Sequence, residues 1–154
     1  MFKIYLKTKL CYLSLQSNGE FLTELEFCEF KSYEKSCEVL EFAKNELEFY
    51  FKGKLKEFKT PLLLQGSEFE KRVYKALLEI PYGQRATYKE IALKIGHKNA
   101  YRAVGNANSK NKLPIFVPCH RVVGTNSLGG YTSGLKNSLD LKRYLLEFEL
   151  KNLK

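Results

Sequence analysis

Soft metal ligands are scarce in this 154-residue chain: two histidines, His97 and His120, and four cysteines, Cys11, Cys28, Cys37 and Cys119. No two cysteines form a Cys-x-x-Cys pair, and Cys11, Cys28 and Cys37 lie far apart with no histidine nearby, which argues against a zinc site. The dense spacing of a secreted disulfide framework is missing too. The four are therefore expected as reduced thiols in a cytoplasmic protein, three of them simply packed in the core. Long apolar runs are also absent: the opening stretch Met1-Phe2-Lys3-Ile4-Tyr5-Leu6-Lys7 is broken by lysines, so neither a signal peptide nor a membrane span is expected. Acidic charge is sparse in one half only. Residues 1–66 hold ten basic and ten acidic side chains, whereas the remainder holds sixteen basic and seven acidic, so the whole net charge of +9 falls there. Such a concentration favours a polyanionic partner, with nucleic acid the leading candidate.

What is present suffices for a folded core, since 44% of the residues are hydrophobic, and the length allows two small lobes. The most informative stretch is Pro118-Cys119-His120-Arg121-Val122-Val123, which follows the apolar run Ile115-Phe116-Val117. A thiolate is the nucleophilic form of cysteine, and neighbouring His or Arg charge favours it, so Cys119 is expected to react. The bland alternative is a small buried hydrophobe.

Residues 2–15 alternate loosely, the Asn18-Gly19 step suits a hairpin turn, and residues 21–27 alternate again, which together predict a small antiparallel sheet. Val39, Leu40, Phe42, Ala43, Leu47 and Tyr50 recur at helical spacing between Ser36 and Phe51, predicting one helix to cover it. The composition changes across Gly53 to Gly66, and a lobe boundary is placed there, giving lobes 1–62 and 63–154. Two capping boxes, Ser67-Glu68-Phe69-Glu70 and Thr87-Tyr88-Lys89-Glu90, open helices ending near Leu78 and Gly96. Asn99 can cap a third helix from Ala100 to about Asn108, giving a helix-turn-helix, a motif that ordinary helix packing produces equally well. Small residues, Ala100, Ala103, Gly105 and Ala107, leave Arg102 as the one long cation near the start of that helix. A glycine- and hydroxyl-rich loop, 124–134, is of the kind that shapes pockets. The last helix, 138–150, is expected to turn Leu141, Tyr144, Leu145 and Phe148 inward, with Glu149 at the margin of that stripe and in need of a partner.

These residues resemble the DNA alkyltransferases that take alkyl groups from the O6 atom of guanine, the methylated-DNA-protein-cysteine methyltransferases. The resemblance covers residues 61–149, with anchors Pro118-Cys119-His120-Arg121-Val122, Ile80-Pro81-Tyr82-Gly83, Thr87-Tyr88, Tyr101-Arg102-Ala103-Val104-Gly105-Asn106, Asn111 and Tyr131. It implies an α+β protein: a small N-terminal antiparallel sheet with a covering helix, a ribonuclease H-like lobe, then a mainly helical catalytic and DNA-binding lobe with a helix-turn-helix. It also implies irreversible, single-turnover alkyl transfer to Cys119 with no metal or cofactor. His120 reaches the sulfur through a water, since adjacent side chains on an extended backbone point apart, and Glu149 orients His120 and favours its charged form. Tyr88 donates to the leaving purine, the backbone at Cys119 and Val122 accepts from the exocyclic amine, and Tyr131 and Thr132 close the pocket. Asn111 braces the turn. Arg102 enters the duplex in place of the flipped base, Ala103 and Gly105 lie against the minor groove, and Tyr88 and Arg121 also contact double-stranded DNA, to which the protein binds as a monomer. Lys112 stands where many relatives have proline.

Three rivals remain. A binding-only relative carries tryptophan in place of the reactive cysteine, and this chain has no tryptophan at all. A thiol hydrolase built on Cys119, His120 and Glu149 lacks an evident oxyanion motif. A helix-turn-helix regulator would select one DNA sequence.

Overall fold

The computed structural model describes residues 1–131 and 138–153. They form an α+β fold divided into two compact units, one spanning residues 1–63 and the other residues 64–131 and 138–153. Among the described residues no helix is long and apolar enough to cross a membrane.

In the first unit, β1 (Phe2–Lys7), β2 (Tyr12–Ser17) and β3 (Leu22–Cys28) form an antiparallel sheet in that order. Opposed pairs share a face of a sheet, and the register sets Ile4 against Leu15, Leu6 against Leu13, Leu13 against Phe27 and Leu15 against Leu25. That apolar face meets Leu40, Ala43, Leu47 and Tyr50 of α1 (Glu38–Phe51), all fully buried. The hairpin forms at Asn18-Gly19, where Gly19 takes a φ of 101° and the Asn18 carboxamide accepts from the amides of Glu20 and Phe21. The stretch 2–15 is not one strand. Thr8 folds it back, its amide and hydroxyl both donating to the Cys11 carbonyl at 2.9 and 2.8 Å.

In the second unit, α2 (Glu68–Leu78), α3 (Tyr88–Lys94) and α4 (Tyr101–Ser109) pack on one another. Both capping boxes are formed, Ser67 with Glu70 and Thr87 with Glu90. Gly96, at a φ of 81°, ends α3 and makes the turn of a helix-turn-helix. The cap of α4 differs from expectation: Ala100 occupies it and no side chain caps the helix, because Asn99 lies one residue too early. Residues Cys119–Arg121 make a single 3₁₀ turn rather than an extended segment. It leads into β5 (Val122–Val123), which pairs in parallel with β4 (Ala86–Thr87). This short bridge fixes the site, since Thr87 caps the helix that begins with Tyr88 and Val122 directly follows the Cys119 turn. Finally, α5 (Ser138–Lys151) packs against that turn. Its buried stripe is Leu141, Lys142, Leu145, Leu146 and Glu149. Tyr144 and Phe148, expected inward, are half-buried and stack on each other at 5.9 Å, because the stripe is rotated toward Lys142.

Candidate active site

The buried run 113–118 delivers Cys119 through a strained turn. Ile115, 1% exposed, has a φ of 74°, a conformation a β-branched residue avoids and that costs on the order of 1–3 kcal/mol. Asn111 holds it in place, accepting from the Leu113 amide at 3.0 Å and donating to the Val117 carbonyl at 2.9 Å, while the Val117 amide closes back on Leu113 at 2.8 Å.

Behind Cys119 lies a buried charge network centred on Glu149, which is 1% exposed. The carboxylate meets His120 Nε2 at 2.7 Å, accepts from Arg121 Nε at 2.8 Å and Nη2 at 3.0 Å, and takes the Gly83 amide at 3.2 Å. The third arm of Arg121, Nη1, donates to the Ile80 carbonyl at 2.7 Å. Burial alone would raise the Glu149 pKa, but the hydrogen bonds and charges of His120 and Arg121 outweigh it and hold the carboxyl ionised, well below its ordinary range. An ionised carboxylate only accepts, so the hydrogen bond assigns the imidazole proton to Nε2 and leaves Nδ1 as a bare lone pair. Among the described residues Nδ1 meets no partner.

Burial favours the neutral thiol of Cys119 and the neutral imidazole of His120, against the charged forms that their neighbours favour. Complete burial pushes the Cys119 pKa up, against the opposing hydrogen bonds of Asn111 and Tyr131 and the charge of Lys142. Burial likewise lowers the His120 pKa, and although Glu149 raises it, the charges of Arg121 and Lys142 lower it again. Burial is the larger effect: it outweighs the hydrogen bond and charge by which Glu149 favours an imidazolium. The site therefore sets a buried thiol next in sequence to a buried imidazole whose Nδ1 meets no partner among the described residues.

Cys119 opens on a cavity of about 310 Å³ that Tyr88, Tyr101, Arg102, Gly105, Asn111 and Tyr131 also line. The Tyr88 oxygen accepts from the Gly130 amide at 3.3 Å, which leaves its own proton free to be given elsewhere. Burial raises the Tyr88 pKa and keeps that proton on. Gly129, at a φ of 76°, is required for the approach, since a Cβ there would lie 2.6 Å from the Tyr88 oxygen. Lys142 is fully buried, its ammonium donating to the carbonyls of Val122 at 2.6 Å and Gly130 at 2.8 Å and lying 5.8 Å from the centre of the Tyr88 ring. Burial brings its pKa down to about 8, against the pull of Cys119. Among the described residues no group of histidine, cysteine and acidic side chains is of a size to hold a metal ion.

Residues 68–151 match the family model for the DNA-binding domain of 6-O-methylguanine DNA methyltransferase. A methylated-DNA–protein-cysteine methyltransferase of Methanosarcina mazei is 56% identical over 111 residues, covering 71% of this chain and 68% of that one. Its counterpart from Mycobacterium tuberculosis is 44% identical over 145 residues, 89% of this chain and 85% of that one. The chain belongs to the methylated-DNA–protein-cysteine methyltransferase family. Among solved structures, the Mycobacterium tuberculosis O6-methylguanine methyltransferase superposes with a TM-score of 0.87 at 38% identity over 98% of this chain and 93% of that one. Mycobacterium tuberculosis OGT in complex with DNA gives 0.87 at 40% identity, over 96% and 92%.

For a methyltransferase of this family, the fold brings together Cys119, His120, Glu149, Asn111, Tyr88 and Tyr131 as a single site, with Arg102 and Gly105 at its edge. Ala103 lies exposed on the outer side of α4, and Thr132 falls outside the described residues. Arg121 is not on a DNA-facing surface. It is 6% exposed and its guanidinium is committed to Glu149 and Ile80, because a buried carboxylate needs a cation. The carbonyl of Val122 already accepts from Lys142, and that of Cys119 accepts both from Asn108 at 3.2 Å and from the Val122 amide, which occupies both of its lone pairs. Lys142 and Asn108 were not singled out from sequence. Only Lys142 carried a signal, since it stands two helical turns before Glu149 and hence on the same face.

Proposed function

We propose that this methyltransferase repairs DNA by moving the alkyl group from O6 of guanine onto Cys119, once per molecule, with the damaged base turned out of a double helix. The observation that carries this reading is the buried chain Cys119, His120, Glu149 and Arg121 opening on a cavity walled by Tyr88. The thiol proton passes to His120 Nδ1, through one water where the 3₁₀ turn parts the two side chains. Glu149 and Arg121 hold the ring for that transfer. The sulfur then attacks the alkyl carbon, an S–C bond forms as the C–O bond breaks, and the electron pair returns to the purine. Tyr88 donates to that purine, which leaves as neutral guanine once the proton is restored, so the net change is one alkyl group for one thiol proton. A thioether has no facile leaving group, so the product is final.

Residues 63–154 would form the DNA-binding and catalytic domain and residues 1–62 a separate lobe, the protein acting as a monomer in the cytoplasm. A Cβ on Gly105 would meet Tyr88 only at 3.9 Å, an ordinary contact, so nothing among the described residues requires glycine there. That supports an external surface, the minor groove, pressing on Gly105 and Ala103, with Arg102 taking the place of the extruded base. The test is intact mass and peptide mapping after exposure to duplex carrying O6-methylguanine. One methyl on Cys119 and no turnover at limiting protein is expected, and Arg102→Ala should slow duplex repair more than reaction with the free base. A methyl on Cys11, Cys28 or Cys37, or continued turnover, would overturn the reading.

A further inference from the structure

Tyr101, which lines the cavity, and Lys89, which stands over its ring, have no task in the chemistry above. Tyr101 is the first residue of α4 and lines the same cavity as Cys119, yet it is 38% exposed. Lys89, on α3, holds its ammonium 5.5 Å from the centre of the Tyr101 ring, within cation–π range. Its neighbour Glu90 is engaged in the Thr87 capping box, and among the described residues neither Lys89 nor Arg102 has a carboxylate partner. The ring thus both lines the cavity and has over it a cation with no carboxylate partner among the described residues. The phenol of Tyr88 already faces the same cavity.

We infer that the ring of Tyr101 packs against the deoxyribose of the extruded nucleotide while Lys89 takes its phosphate, so that the binding site extends past the base to the nucleotide's own backbone. The inference rests on the alkyl-transfer reading and adds a subsite to it. A sugar presents C–H groups, which suit the face of a phenol ring, and an ammonium poised over that ring is placed for an anion one bond further out. It follows that the hydroxyl of Tyr101 is dispensable and its ring is not.

The test compares methyl transfer from O6-methylguanine as free base, as deoxynucleoside, as the nucleoside carrying a phosphate, and in duplex DNA. In Tyr101→Ala the ratio of nucleoside rate to free-base rate should fall several-fold, and Tyr101→Phe should restore it. Lys89→Gln should lower the rate only where a phosphate is present, and should reduce the salt dependence of duplex binding by about one counterion. Equal slowing on free base and nucleoside in Tyr101→Ala would make Tyr101 part of the pocket's fabric and overturn the subsite, as would an unchanged ratio. Failure of the wild-type protein to accept methyl from any of the four would instead remove the reading beneath it.

Discussion

Glu46 in the first unit and Glu149 in the second are both buried on helices, yet they serve different ends. Glu46 accepts from the amides of Lys59 and Thr60 at 2.8 and 2.9 Å and from the Thr60 hydroxyl at 2.5 Å. Its donors carry no charge and none titrates in the working range, so the carboxylate fastens the chain after α1 and can do nothing else. Glu149 instead meets a histidine and an arginine, and the histidine's other nitrogen has no protein partner among the described residues. Burial of a carboxylate is therefore no mark of function; what distinguishes the pair is whether a partner can change its proton count.

The sharpest way to break this comparison is His120→Gln, which removes the titrating partner and keeps a hydrogen bond to Glu149. Methyl transfer should fall by about 10²–10⁴-fold, the usual contribution of a positioned base, while DNA binding persists. A rate within a few-fold of wild type would make His120 as structural as Thr60. Acid stability offers a second reading of the same variant. The folded-state pKa values of His120 and Glu149 lie below their unfolded values, so both contribute stability that is lost as pH falls, from about 6.5 downward for His120. His120→Gln should lose less stability than wild type as the pH is lowered below that value, measured by thermal melts.

A smaller effect is expected at Lys142. Its folded pKa of about 8 lies below the ordinary 10.5, so between those values the unfolded chain binds more protons and this group makes stability rise with pH. Lys142→Met should remove that rise from melts taken across the window. It should also slow transfer, because the ties to Val122 and Gly130 and the cation near Cys119 are lost together. The least effect on chemistry is expected from Glu46→Gln. Its amide would turn an N–H₂ toward backbone N–H donors, costing about 1–3 kcal/mol of stability with transfer unchanged. A slowed transfer there would dissolve the distinction between the two glutamates.

Local signals were the legible ones. Both capping boxes lie within four residues, and the Asn18-Gly19 turn is chemically self-contained, so pattern alone located them. The turn at Thr8 was hidden because a threonine side chain closes it without glycine or proline. The inward face of α5 was misjudged because lysine counts as polar, although its apolar stem can lie in a core and its ammonium find two carbonyls. At the site, the residues Cys119, His120 and Glu149 were readable as types in a pattern. Their protonation was not, since it follows first from how deeply the fold buries Cys119 and His120, which residue types in a pattern do not reveal.

The central claim, that the Glu149 network makes the neutral Cys119 reactive, is tested most directly by the rate of methyl transfer against pH for wild type and Glu149→Gln. A carboxamide cannot hold both Arg121 and the imidazole N–H as acceptor, so the variant should be slower at every pH, with the position of its pH dependence moved. An identical rate and identical pH dependence in the two proteins would contradict the account and leave Glu149 a structural carboxylate like Glu46.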